Sequence, residues 1–155
     1  MIANAAHGGE SFLAELLDDL GDVELGMQFY DCDLLIRAKE RGRVEVDEAS
    51  PRAFAFMFRS SRSSFVIQLS FFDRRLGRLL LLPGPASVGQ FEAEIVIRLV
   101  AGRVSVPTVM DGILRWLLEG QYEARLPQLP NGQHFFEIRS ADWQDMLTNM
   151  SAHQN

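Results

Sequence analysis

An α+β fold built on an antiparallel sheet is predicted, and three observations predict it. Phe54, Phe56 and Phe58 alternate with Ala53, Ala55, Met57 and Arg59, so one side of a strand is wholly aromatic. Two further apolar runs follow at 65–72 and 76–82, with Asp73-Arg74-Arg75 between them. That is the pattern of neighbouring strands joined by short turns. The elements also do not alternate as βαβ units, which argues against a parallel, doubly wound sheet. The expectation is a meander of about six strands, one face packed by a buried helix at about 107–119 and flanked by short N- and C-terminal helices.

The elements follow in order. Residues 1–9 read as a frayed end. Ser11 is placed to cap a helix running to about Leu20, with Phe12, Leu16 and Leu20 on one stripe and Gly21 as its stop. Asp18 and Asp19 stand in its last turn, where the helix dipole disfavours negative charge. Residues 33–39 and 43–47 suggest a hairpin around Glu40-Arg41-Gly42, and Ser50-Pro51 a turn. Strands follow at about 53–59, 64–72 and 76–82, with a turn at 60–63. The segment 83–89 is a loop. Residues 91–100 alternate well enough to predict a strand with Phe91, Ala93, Ile95, Ile97 and Leu99 inward. Pro107 favours a helix start, and the following residues to Glu119 are apolar around most of a helix. A last strand is expected at about 134–139. Ser140 is placed to cap a short helix carrying Trp143, Met146 and Leu147, with a flexible end at about 151–155.

A chain of 155 residues suggests a single domain, long enough to bury a core without staples. One cysteine, Cys32, leaves no internal disulfide and fits a reducing compartment. The N-terminus lacks the charged and apolar regions of a secretory signal, and the aliphatic run 79–82 is far too short to span a bilayer. A cytoplasmic location is the expectation. The net charge of −6 argues against a nucleic-acid surface. Fourteen arginines against one lysine, Lys39, read as base-composition bias rather than phosphate recognition. The charge is nevertheless uneven. Residues 1–33 hold eight acids and no base, whereas 51–78 hold six arginines and one acid, Asp73. These regions would either attract each other or form two patches of opposite sign.

No chemistry announces itself. Asp31-Cys32-Asp33 is the one tight group of possible ligands, and it reads as a solvated acidic edge with a buried thiol. Cys32, His134 and Glu137 can be written as a triad, but carboxylates beside Cys32 raise a thiol pKa rather than lower it. Glu92 and Glu94 would share the outer face of a strand, which is ordinary solvation. The 83–89 loop lacks the lysine of a phosphate cradle and leads into the strand expected at 91–100, not into a helix. No catalytic residue, cofactor or metal is expected.

The reading that remains is a non-catalytic protein-binding module acting on another protein or on itself as a homodimer. In size, acidity and α+β class the chain resembles bacterial secretion chaperones and toxin-immunity proteins, although no motif ties it to either. The expected partner surface is Arg59, Arg62, Arg74, Arg75 and Arg78, with Asp18 and Asp19. The alternative is a binder of a small apolar ligand between sheet and helix. An enzyme with a site dispersed in sequence is the third reading.

Overall fold

Eight strands form one antiparallel sheet in the computed structural model, which describes residues 16, 18–42, 44–48, 52–59, 65–83 and 87–154. The strands are β1 (Glu45–Glu48), β2 (Ala53–Arg59), β3 (Val66–Phe72), β4 (Arg75–Leu82), β5 (Thr108–Met110), β6 (Ile113–Leu118), β7 (Tyr122–Leu126) and β8 (Phe136–Ser140). Their spatial order is β1-β2-β3-β4-β8-β7-β6-β5. Two meanders of four strands are thus joined where β4 pairs with β8, from Arg78↔Arg139 to Leu81↔Phe136. The α+β class and the antiparallel sheet agree with expectation, but eight strands exceed the six expected.

One sheet face is covered by helix. Phe56, Phe58, Ile67, Leu69, Phe71, Leu79 and Leu81 of the first meander meet Trp116, Ala124, Phe136 and Ile138 of the second in one continuous apolar cluster. Over it lie α1 (Asp33–Glu40), through Leu34, Leu35 and Ala38, and α2 (Gln90–Ala101), through Ala93, Val96, Ile97 and Val100. Each large side chain so buried contributes about 1.5–3 kcal/mol. Leu16 and Leu20, on the stripe expected for the first helix, are buried in the same cluster. Arg37 of α1 donates to the Asp18 carbonyl at 3.3 Å and lies 3.9 Å from the Asp22 carboxylate. It thereby satisfies a backbone carbonyl at the end of the helical turn 18–20 and faces the acid that follows it.

The opposite face is covered differently. A third helix, α3 (Trp143–Gln154), starts there and is helical past Met150, where the sequence suggested the tail. Trp143 lies so close over Gly77 that a Cβ at that position would meet its ring at 2.5 Å. Its ring also meets Phe72 edge-on, with centroids 6.4 Å apart.

Two sequence expectations are exchanged. The segment 91–100 is not a strand but α2, the buried helix. Gly89 N–H donates to the Glu92 carboxylate at 3.0 Å, which caps its start. Buried residues recur at 93, 96, 97 and 100, the spacing of one helix face. Phe91, expected inward, is exposed. Conversely, 107–119 is not a helix but the β5–β6 hairpin. Asp111 and Gly112 both have positive φ, 54° and 76°, which closes a two-residue turn whose twist matches its strands. The segment 33–39, expected as a strand, is α1. A strand at 122–126 was not expected at all. The expected turns at 60–63 and Ser50-Pro51 lie outside the described residues.

Candidate functional site

The first candidate site arises where β4 outruns its partner. β8 pairs only with residues 78–81, so the start of β4 is open on that side. The segment 26–29 fills the gap: Gly26 N–H donates to Leu76 O, Leu76 N–H to Met27 O, and Phe29 N–H to Arg74 O. This brings the turn Phe29–Asp31 onto the aromatic side of β2 and β3. The Phe29 ring stacks on Phe56 at 5.4 Å and meets Phe54 and Phe71 edge-on, both at 5.5 Å. Lys39 Nζ stands 5.1 Å from the Phe56 ring centre, and the Arg74 guanidinium 5.4 Å from that of Tyr30. Around these rings opens a cleft of about 320 Å³. Its outer wall is Tyr30, 64% exposed, and Val46 of the outermost strand β1, 50% exposed.

The second candidate is on the other sheet face. β7 and β8 carry the same outward motif, Glu123-Ala124-Arg125 and Glu137-Ile138-Arg139. Their antiparallel register sets Glu123 opposite Arg139 and Arg125 opposite Glu137. Each acid therefore faces a base across the strands. Glu137, 2% exposed, accepts from Arg125 Nη2 and from Arg78 Nε, each at 2.6 Å. Glu123 accepts from Arg115 Nη2 at 2.7 Å and Arg139 Nε at 3.0 Å. Burial pushes both carboxyls up. The hydrogen bonds and charges of Arg125 and Arg78 on Glu137, and of Arg139 and Arg115 on Glu123, outweigh burial and hold both below the usual carboxylate range.

The arginines expected to form one partner surface do not gather. Arg59 ends β2 at one end of the sheet, while Arg74 and Arg75 lie at the β3–β4 turn at the other. Arg74 is over Tyr30, and Arg75 donates to Gly26 O at 3.2 Å. Arg78 alone joins the Arg–Glu face. Asp18 is exposed and Asp19 buried, both in the helical turn 18–20. Arg62 lies outside the described residues. Arg115, Arg125 and Arg139 were missed, although the repeated Glu-x-Arg spacing of two strands is a readable signal.

The other candidates separate. Asp31, Cys32 and Asp33 are not on a strand but lead from the Phe29–Asp31 turn into α1, with Cys32 as the N-cap residue. The Cys32 thiol is buried, and burial pushes its pKa up. Cys32 belongs to the helix-covered cluster and Glu137 to the opposite sheet face, so no triad forms with His134. Glu92 caps α2, and Glu94 accepts from Gln90 at 3.0 Å. Residues 87–89 lead into α2 rather than a strand, and the Gly89 N–H is already taken by Glu92. No group of three or more metal-ligating side chains occurs among the described residues. No described helix is long and apolar enough to cross a membrane.

No protein-family model and no curated protein matches the chain. Among solved structures, a cysteine-rich secretory protein from Staphylococcus aureus subsp. aureus Mu50 is similar at 11% identity and a TM-score of 0.41. The match covers 76% of this chain and 45% of that one.

Proposed function

We propose that this chain is a non-catalytic protein-binding module, in general character like a secretion chaperone or toxin-immunity protein. The observation that carries the reading is the aromatic cleft beside the edge strand β1. An outermost strand presents unpaired backbone groups to an incoming extended segment. Here that backbone runs beside the partly buried rings of Phe29 and Phe54, so a segment added to β1 would lay alternate apolar side chains into the cleft, against Phe54 and Val46. Lys39 and Arg74 flank it and would orient polar groups of the partner.

The test is co-purification from the source cells with tagged wild-type protein and tagged Val46→Arg. Val46 is half exposed and in an edge strand, so the substitution should leave stability within about 0.5 kcal/mol. Wild type should retain a defined protein by mass spectrometry, and Val46→Arg should lose it. A wild type that stays monomeric in light scattering and retains nothing, or a partner held equally by Val46→Arg, overturns the reading.

A further inference from the structure

We propose that the Arg–Glu face is a second docking surface, and that its occupant is an acidic, partly apolar segment of a partner protein. The inference rests on the protein-binding reading but on a different surface, on the far side of the sheet from the cleft.

The argument starts from hydrogen-bond donors. Arg78 and Arg139 sit directly opposite each other on β4 and β8. Each uses only Nε toward a glutamate. Their terminal nitrogens have no acceptor among the described residues. A guanidinium offers five N–H donors in a fixed fork that matches a carboxylate. Two such forks therefore stand side by side, each already held in place through its Nε. Side-chain entropy, the usual cost of ordering an arginine, is reduced in advance.

Charge points the same way. The lattice holds four guanidiniums, Arg78, Arg115, Arg125 and Arg139, against two carboxylates, Glu123 and Glu137. Asp111, at the β5–β6 turn, is a third carboxylate on the wall of the adjoining depression. With Asp111 counted the balance is four against three, and Arg78 and Arg139, their side chains 28% and 20% exposed, stand at the β4–β8 end beside the start of α3. Apolar surface occupies the other end. Met110, 54% exposed, and Ile113 line a shallow depression of about 240 Å³, and Leu117, 61% exposed, projects from β6 opposite Glu123. A polyphosphate backbone has no use for that apolar end. An acidic protein segment satisfies both ends: carboxylates on Arg78 and Arg139, apolar side chains over Met110, Ile113 and Leu117.

Fluorescence anisotropy with a labelled peptide of alternating Glu and Leu tests this, with a Lys/Leu peptide of equal length as control. The full chain should bind the acidic peptide about tenfold more tightly than the basic one at low salt, and the preference should shrink as salt screens it. Arg78→Gln with Arg139→Gln should remove the preference. Should that variant fail to fold, Leu117→Glu carries the test. It alters an exposed side chain outside the ion pairs and should weaken the acidic peptide about fivefold or more through like charge. Equal binding of the two peptides, or a preference that survives these variants, overturns the proposal. So does single-stranded DNA displacing the acidic peptide at lower concentration than unlabelled peptide does. Val46→Arg serves as the internal control: it should keep peptide binding, so failure of the cleft and failure of this face are read separately.

Discussion

Glu137 shows what a single residue decides in this molecule. Its carboxylate is removed from water, and it survives there because Arg125 and Arg78 both donate to it. Breaking such a pair leaves guanidiniums without their anion, which costs about 3 kcal/mol for a buried ion pair. Glu137→Gln should show that loss at pH 7 in urea denaturation. The folded carboxyl lies below its ordinary value, so its stabilisation is present above the unfolded pKa of about 4.3 and fades as pH falls through the folded value. The gap between wild type and Glu137→Gln should therefore close as pH is lowered from 5 toward 3. Glu123 titrates in both proteins and cancels from the difference. A gap that stays constant with pH would assign the cost to shape rather than charge. The repeated Glu-x-Arg spacing marks Glu137 in the sequence but does not say which arginines it meets. Its neighbours in the lattice come from β4 and β7, which are remote in sequence and met only through register.

At the scale of elements, the hairpins carry the lesson. Strand β2 was legible from its apolar alternation, and β3 and β4 from short apolar runs bounded by turn residues. Residues 91–100 were not, because they fit both periods. Phe91, Ala93, Ile95, Ile97 and Leu99 alternate, while Ala93, Val96, Ile97 and Val100 make a helix face. The capping contact from Gly89 to Glu92 decides between them, and Glu at that position is visible in sequence. The segment 107–119 misled in the opposite sense. Exposed Val109, Met110 and Leu117 gave it apolar residues on every side, which imitates a buried helix. Asp111-Gly112 was the signal passed over. Gly112→Ala should lower stability by about 1 kcal/mol in urea titration, the cost of a left-handed backbone for a residue with a Cβ. No atom lies near enough to clash with that Cβ, so the cost is purely conformational. An unchanged midpoint would mean that the turn relaxes freely.

For the whole molecule, the seam between β4 and β8 matters most. It makes one sheet of two meanders, and the apolar cluster crosses it from Phe71 to Trp116. A chain with one core in common should unfold in one step. Two tryptophans report on the two sides: Trp116 within the cluster on β6, and Trp143 against Gly77 and Phe72 on the opposite face. Tryptophan fluorescence and far-ultraviolet circular dichroism should therefore trace superimposable urea transitions. Two separated transitions would show that the meanders are independent units. The α+β class and the aromatic side of the sheet were readable from residue order alone. The aromatic cleft was not, because it forms only when the 26–29 segment fills the open start of β4.

The outermost strand β1 has a further consequence. Glu45, Asp47 and Glu48 make three of its four residues acidic. Two copies meeting edge to edge along β1 would bring those carboxylates against one another, and like charges facing across a strand pair are destabilising. The strand thus repels its own duplicates while leaving its backbone available to a neutral or basic stranger. Self-pairing along this edge therefore meets a repulsion that pairing with a neutral or basic strand does not.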